Sequence, residues 1–133
     1  MTALRVPREP IGVLRRVENT SLSLESLITA GRARRLGHRV RWRHVRTTDR
    51  VFGLAWSGAM TEPRMAGLLA NLPDGLSEIY THPATSNVFT GAVPGYRYAD
   101  ELAALVSPAI VNAVKANGIR LTSYSDFQSR ING

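Results

Sequence analysis

The sequence predicts an α/β fold in which parallel strands alternate with helices. Three observations lead there. Short apolar runs of strand length recur along the chain, as in "TALRV", "VFGLAW", "LSEIYTH" and "IRLTSY". Between them lie stretches whose apolar residues repeat at helical spacing. Each connecting helix is at least two turns long, enough to carry the chain back for a parallel crossover.

The elements follow in order. "TALRV" is an apolar run fit for a buried strand, and "VPREP" stops it with two prolines. Residues 21 to 35 read as a helix with Leu24, Leu27 and Ile28 on one side and Thr20 or Ser21 as its N-cap. "VFGLAW", residues 51 to 56, is a nearly continuous apolar run followed by Ser57-Gly58, the pattern of a strand covered on both faces. In "TEPRMAGLLANL" the residues Met65, Leu68, Leu69 and Leu72 stand at i, i+3, i+4 and i+7, one buried stripe of a helix. "LPDG" makes a turn before the strand "LSEIYTH". A loop of about a dozen residues rich in Gly, Pro, Thr and Asn comes next, an uncommon length without structure of its own. The chain then turns helical, with Tyr98, Leu102, Leu105 and Val106 assigned to one face. Ser107-Pro108 restarts a helix with Ser as N-cap and Pro first, and Asn117-Gly118 ends it. "IRLTSY" reads as a last strand, and "SDFQSRING" as a short, fraying helix.

At 133 residues, 44% hydrophobic and 20% charged, the chain has the size of one domain spanning residues 1–133. No apolar run is long enough to span a bilayer, and "MTALRVPREP" lacks the apolar core and cleavage site of a signal peptide, so a cytoplasmic chain is expected. The absence of cysteine excludes disulfides and thiolate metal sites. Seventeen Lys plus Arg against ten Asp plus Glu give a formal charge of +7, and Lys115 is the single lysine. The excess is concentrated in "GRARRLGHRVRWRHVRTTDR", residues 31 to 50, which would attract phosphates of nucleic acid or of an anionic membrane surface. A solvated helix end and loop is the more usual explanation of such a run.

In a parallel sheet, open or barrelled, ligands gather at the carboxyl ends of the strands. Arg5, Trp56 and His82 each fall at or just before such an end, so three segments could aim side chains at one place.

"LRVPREP", "VFGLAWSGAMTEPRM", "LPDGLSEIYTHPAT" and "VPGYRYADELAALVSPAIVNAVKANGIRLTSYSDF" together resemble the C-terminal half of the YdjC-like carbohydrate deacetylases, in particular the hopanoid-biosynthesis-associated HpnK branch. The resemblance covers nearly the whole chain in several ordered segments. It implies part of a distorted (β/α) barrel and removal of N-acetyl groups from amino sugars, with a glucosaminyl hopanoid lipid as the substrate of that branch. It also implies a divalent metal, Zn or Mg, held by an Asp and two His of the N-terminal half. Neither the Asn-Ala-Asp-Asp-Phe-Gly type motif, whose Asp is the implied general base, nor the His-rich segment of the family occurs here. The expectation is therefore a C-terminal portion that lacks its metal-binding half and is inactive alone.

Through the same resemblance His82 takes the place of the His in a Glu-Ile-x-x-His-Pro element, where the implied role is general acid toward the leaving amine or a contact to the reacting acetyl group. An imidazole suits that work because its ordinary pKa, about 6.5, lies close to operating pH. Arg5 takes the place of an Arg that would orient the catalytic Asp through a bidentate pair. Glu78 belongs to the His82 element and would point with Tyr80 and His82 to one face of the strand. Trp56, Tyr96 and Arg97 are candidate sugar or phosphate contacts by motif position, although Trp56 ends an apolar run and so also reads as core. His38 and His44, six apart, do not suit two ligands on one helical face, and no second His or carboxylate stands near His82 at ligand spacing; no metal site is assigned. The expected partners are an amino-sugar or glycolipid substrate and, if the chain is one piece of a split enzyme rather than an incomplete reading frame or a degenerate remnant, a missing N-terminal half. The alternative reading is a non-catalytic basic module that binds nucleic acid or an anionic membrane surface through residues 32–50. No helix-turn-helix, zinc-finger or RNA-binding signature accompanies the arginines, which disfavours nucleic acid.

Overall fold

The structure is a computed structural model that describes residues 6, 8–18 and 47–129. The predicted first strand, apart from Val6, the predicted helix at 21–35 and the arginines of 32–46 lie outside the described residues.

Val6 is fully buried, and the carbonyl of Arg8 accepts a hydrogen bond from the Val51 N–H (3.0 Å), so this segment lies against the first described strand. Helix α1 (Ile11–Val17) follows Pro10. This helix is an element beyond those expected from the sequence, although Val13, Leu14 and Val17 carry helical spacing. Val13 and Leu14 are buried.

Strand β1 (Arg50–Phe52) is joined through helix α2 (Glu62–Asn71) to strand β2 (Ser77–Ile79), and the two strands are parallel, pairing Arg50 with Ser77, Val51 with Glu78 and Phe52 with Ile79. Among the described residues the predicted α/β alternation is therefore present as one β-α-β unit; they close no barrel. The start of the unit is clamped by Asp49, whose Oδ2 accepts from the Leu76 N–H (3.0 Å), and by the Arg50 guanidinium, which donates to the Asp74 carbonyl (2.7 Å). α2 begins with Pro63 in its first turn, where the missing N–H has no intrahelical use, and with Glu62 beside the positive end of the helix dipole. It buries Met65, Leu68 and Leu69 as its spacing predicts, with Leu72 packed at the edge of the core.

Helices α3 (Tyr98–Val106) and α4 (Pro108–Ala116) meet at Ser107, whose hydroxyl accepts from the Ala109 N–H (3.2 Å) and caps α4 as expected. α2 packs against α1, α3 and α4, and the core lies around it: Val13, Leu14, Phe52, Trp56, Met60, Met65, Leu68, Leu69 and Ile110.

Three expectations are corrected. The strand predicted over 51–56 ends at Phe52. Gly53 adopts φ +100°, a Cβ there would stand 2.2 Å from the Tyr80 carbonyl oxygen, and the chain turns away. In α3 the buried residues are Tyr98, Glu101 and Ala104, while Leu105 and Val106 are exposed. The helix is rotated so that a carboxylate faces inward. Residues 119–123 form no strand; they have no strand partner among the described residues, and Leu121 is exposed. The terminal helix α5 (Tyr124–Ser129) is present, started by a reciprocal cap in which Ser123 donates to Asp126 Oδ2 (2.9 Å) and the Asp126 N–H returns to Ser123 Oγ (3.2 Å).

Candidate functional site

The carboxyl ends of the N-terminal segment, β1 and β2 are held together by two carboxylates. Glu9 receives three consecutive backbone N–H groups: Gly53 (2.6 Å) and Leu54 (3.1 Å) donate to Oε1, and Ala55 (2.9 Å) donates to Oε2. The turn that ends β1 is thus folded around a side chain from the first segment. Burial pushes the Glu9 carboxyl above its ordinary value, and the N–H groups of Ala55, Gly53 and Leu54 pull it part of the way back.

Glu101, 1% exposed, performs the second closure. Its Oε1 accepts from the Met60 N–H (3.0 Å), in the loop after β1, and its Oε2 accepts from the His82 N–H, in the loop after β2. The same oxygen lies 3.9 Å from His82 Nδ1.

His82 therefore stands beyond the end of β2, where the ladder continues for one more bond from the Tyr80 N–H to the Phe52 carbonyl (2.8 Å). Its imidazole is set edge-on between two tyrosines, with ring centroids 4.5 Å from Tyr80 and 5.1 Å from Tyr96. The side chain keeps 24% of its surface open, while Nδ1 is buried and makes no hydrogen bond. The Nδ1 edge of the ring is enclosed next to a carboxylate, and part of the side chain reaches solvent.

Tyr96 completes this wall. Its ring lies so close to Gly58 that a Cβ there would fall 2.2 Å from Tyr96 Cγ. Its hydroxyl pairs with Ser57 Oγ at 2.9 Å. The backbone N–H of Arg97 donates to the Gly58 carbonyl (2.7 Å), tying the long loop to the turn after β1. The loop is further fixed on α3, because the Val93 N–H donates to the Tyr98 hydroxyl (2.8 Å) and the Ala99 N–H to Asn87 Oδ1 (2.8 Å). Phe89 packs on Tyr98 and Tyr98 on Tyr96, so aromatic contacts run from the loop to His82.

Of the residues singled out from sequence, His82 and Tyr96 come together. Trp56 is 3% exposed and belongs to the core, with the Arg64 guanidinium 5.3 Å from its ring centre, so it lies behind the wall rather than on its open side. The Glu78 carboxylate accepts from the Tyr124 hydroxyl (2.6 Å), and the carboxylate that approaches His82 is that of Glu101. Arg97 is exposed and its guanidinium pairs with Asp100 one helical turn along. Arg5 lies outside the described residues. Glu9, Ser57 and Glu101 were missed. Glu101 carried a signal, an acidic residue one turn after Tyr98 on a helix otherwise rich in Ala, Leu and Val. Glu9 carried none, since a glutamate between prolines reads as solvated.

Among the described residues no group of three or more His, Cys, Asp or Glu could hold a metal ion. Both Glu101 oxygens already accept backbone N–H groups, and no further ligand completes a set with His82. The described residues do not fit a metal centre. No described helix is long and apolar enough to cross a membrane.

A β-α-β unit with an imidazole, a phenol and a hydroxyl at its carboxyl strand ends defines an α/β protein with a polar site where such folds keep their ligands. The sequence profile of the family described as YdjC-like protein matches residues 1–116, and the chain belongs to that family, which is related to the carbohydrate deacetylases. No curated protein and no solved structure matches the chain.

Proposed function

We propose that the chain supplies one wall of the active site of an amino-sugar N-deacetylase, and that His82 protonates the departing amine. The observation that carries this reading is the position of His82 in a YdjC-like chain: past the end of β2, part open to solvent, with Nδ1 enclosed beside Glu101. In the reaction, water adds to the acetamide carbonyl, the C–N bond breaks, and acetate and a free amine leave. A nitrogen departs as an amine only when it gains a proton, and His82 can give one from its Nε2 side. Tyr96 and Ser57, hydrogen-bonded to one another, would contact the sugar hydroxyls, and Arg97 would reach an anionic group at the rim.

The divalent ion, the ligands that hold it and the base that takes the proton of water belong, in this reading, to residues other than those described. In this reading the described residues form part of the C-terminal portion of a barrel and act together with its metal-binding half. The proposed substrate is a glucosaminyl hopanoid lipid handled in the cytoplasm. The exposed Val88, Phe89 and Val93 on the loop after His82 support an apolar aglycone, since they place apolar surface on the segment whose aromatic contacts lead to the imidazole.

The test is release of acetate from an N-acetylglucosaminyl substrate with added Zn²⁺ or Mg²⁺, using the chain alone and mixed with the N-terminal half of a related full-length enzyme. Activity is expected only in the mixture, and His82→Ala should lower it by about 10²-fold or more, the scale of a lost general acid. Full activity of the His82→Ala mixture would remove His82 from the chemistry, and silence of every mixture with the folded chain would overturn the deacetylase reading.

A further inference from the structure

We propose that Glu101 is a positioning residue that fixes His82 as the Nδ1–H tautomer, so that the proton His82 exchanges with a ligand sits on Nε2. This rests on the proposal that His82 is the working acid.

A carboxylate at 1% exposure is costly to bury unless hydrogen bonds replace its water. Glu101 meets that requirement with the Met60 and His82 N–H groups, taken from two different loops. Those bonds alone would describe a loop clamp. The side chain of His82 adds a second observation. Its Nδ1 is buried, has no hydrogen-bond partner, and lies 3.9 Å from the Glu101 oxygen that holds its own backbone. That distance is too long for a hydrogen bond but within reach of a charge. A lone pair on Nδ1 would face the carboxylate's negative oxygen; an N–H there faces it favourably. The neutral ring is thereby left with its lone pair on Nε2, and the protonated ring carries its transferable proton on Nε2. Tyr80 and Tyr96 flank the imidazole and restrict it to this orientation. The arrangement of acid, imidazole and orienting carboxylate is the general logic of a base or acid held by a third group.

The experiment is long-range ¹H–¹⁵N NMR on the full chain labelled at histidine, with the His82 resonances assigned by loss in His82→Gln. Wild type should show a neutral His82 predominantly protonated on Nδ1. In Glu101→Gln it should revert toward the Nε2–H form usual for a free imidazole, while His38 and His44 keep their shifts; Glu101→Asp, which keeps the charge, should retain part of the preference. A wild-type His82 protonated on Nε2, or an unchanged tautomer in Glu101→Gln, overturns the proposal. If Glu101→Gln does not fold, the wild-type tautomer and Glu101→Asp decide it. These readouts do not depend on catalysis, so they stand even if every deacetylation mixture is silent. Where the mixture is active, Glu101→Gln should lower kcat by about 10-fold or more, up to the ~10²–10⁴-fold that general acid catalysis itself supplies, with KM nearly unchanged. A loss confined to KM would also overturn the proposal.

Discussion

Glu9 places a half-buried carboxylate against three neighbouring N–H groups that would otherwise face the end of β1 without a protein partner. Glu9→Ala should therefore cost about 1–3 kcal/mol of folding stability, read from the urea midpoint, because stranded donors bear their own desolvation cost. The pH dependence has a definite sign. Burial raises the folded carboxyl above its unfolded value of about 4.3, so the folded chain holds the proton more tightly. That contribution is fully present below the unfolded value and is lost as pH rises through the folded one. The stability difference between wild type and Glu9→Gln should accordingly be largest near pH ~4 and narrow toward pH ~7. A difference that widened over the same range would show that the three bonds outweigh burial. His82 was legible in the sequence at this scale, because His-Pro after a strand-like run is a local feature. Glu9 and Glu101 were not, since their partners lie 44 to 46 and 41 and 19 residues away.

Among the elements, α2 was legible in full. Its apolar stripe, its proline in the first turn and its ending before Pro73 all agree with the observed helix. Leu68, fully buried at the centre of that stripe, should cost about 2–5 kcal/mol when changed to Ala, measured by chemical denaturation. Val106, 67% exposed at the end of α3, should tolerate Val106→Ala within about 0.5 kcal/mol, although its periodicity had assigned it inward. Rotation of α3 is what separates the two cases. Periodicity weighs an inward Glu as an error, whereas here its carboxylate is satisfied by two N–H groups and the helix turns to present it. β1 fell short of its apolar run for a similar reason. The Gly53 turn and the Glu9 bonds end the strand while the run continues into Trp56, which is buried as core rather than as strand.

For the molecule as a whole, one continuous core joins α1, β1, α2 and α4, and two carboxylates lock its upper loops. Unfolding should be a single cooperative transition, with far-UV circular dichroism and tryptophan fluorescence giving coincident midpoints in a Trp42→Phe variant, where Trp56 alone reports. Separated midpoints would mean that the strand-end loops open before the core. The sequence by itself determined the β-α-β alternation over residues 50–79, the stripe of α2, the Ser107-Pro108 restart and the family to which the chain belongs, because each is written in neighbouring residues. Only the tertiary structure decided where β1 ends, which face of α3 is buried, and which carboxylate stands beside His82. Those outcomes depend on hydrogen bonds between segments far apart in the chain, and a buried carboxylate is stable only where the fold brings N–H groups to it.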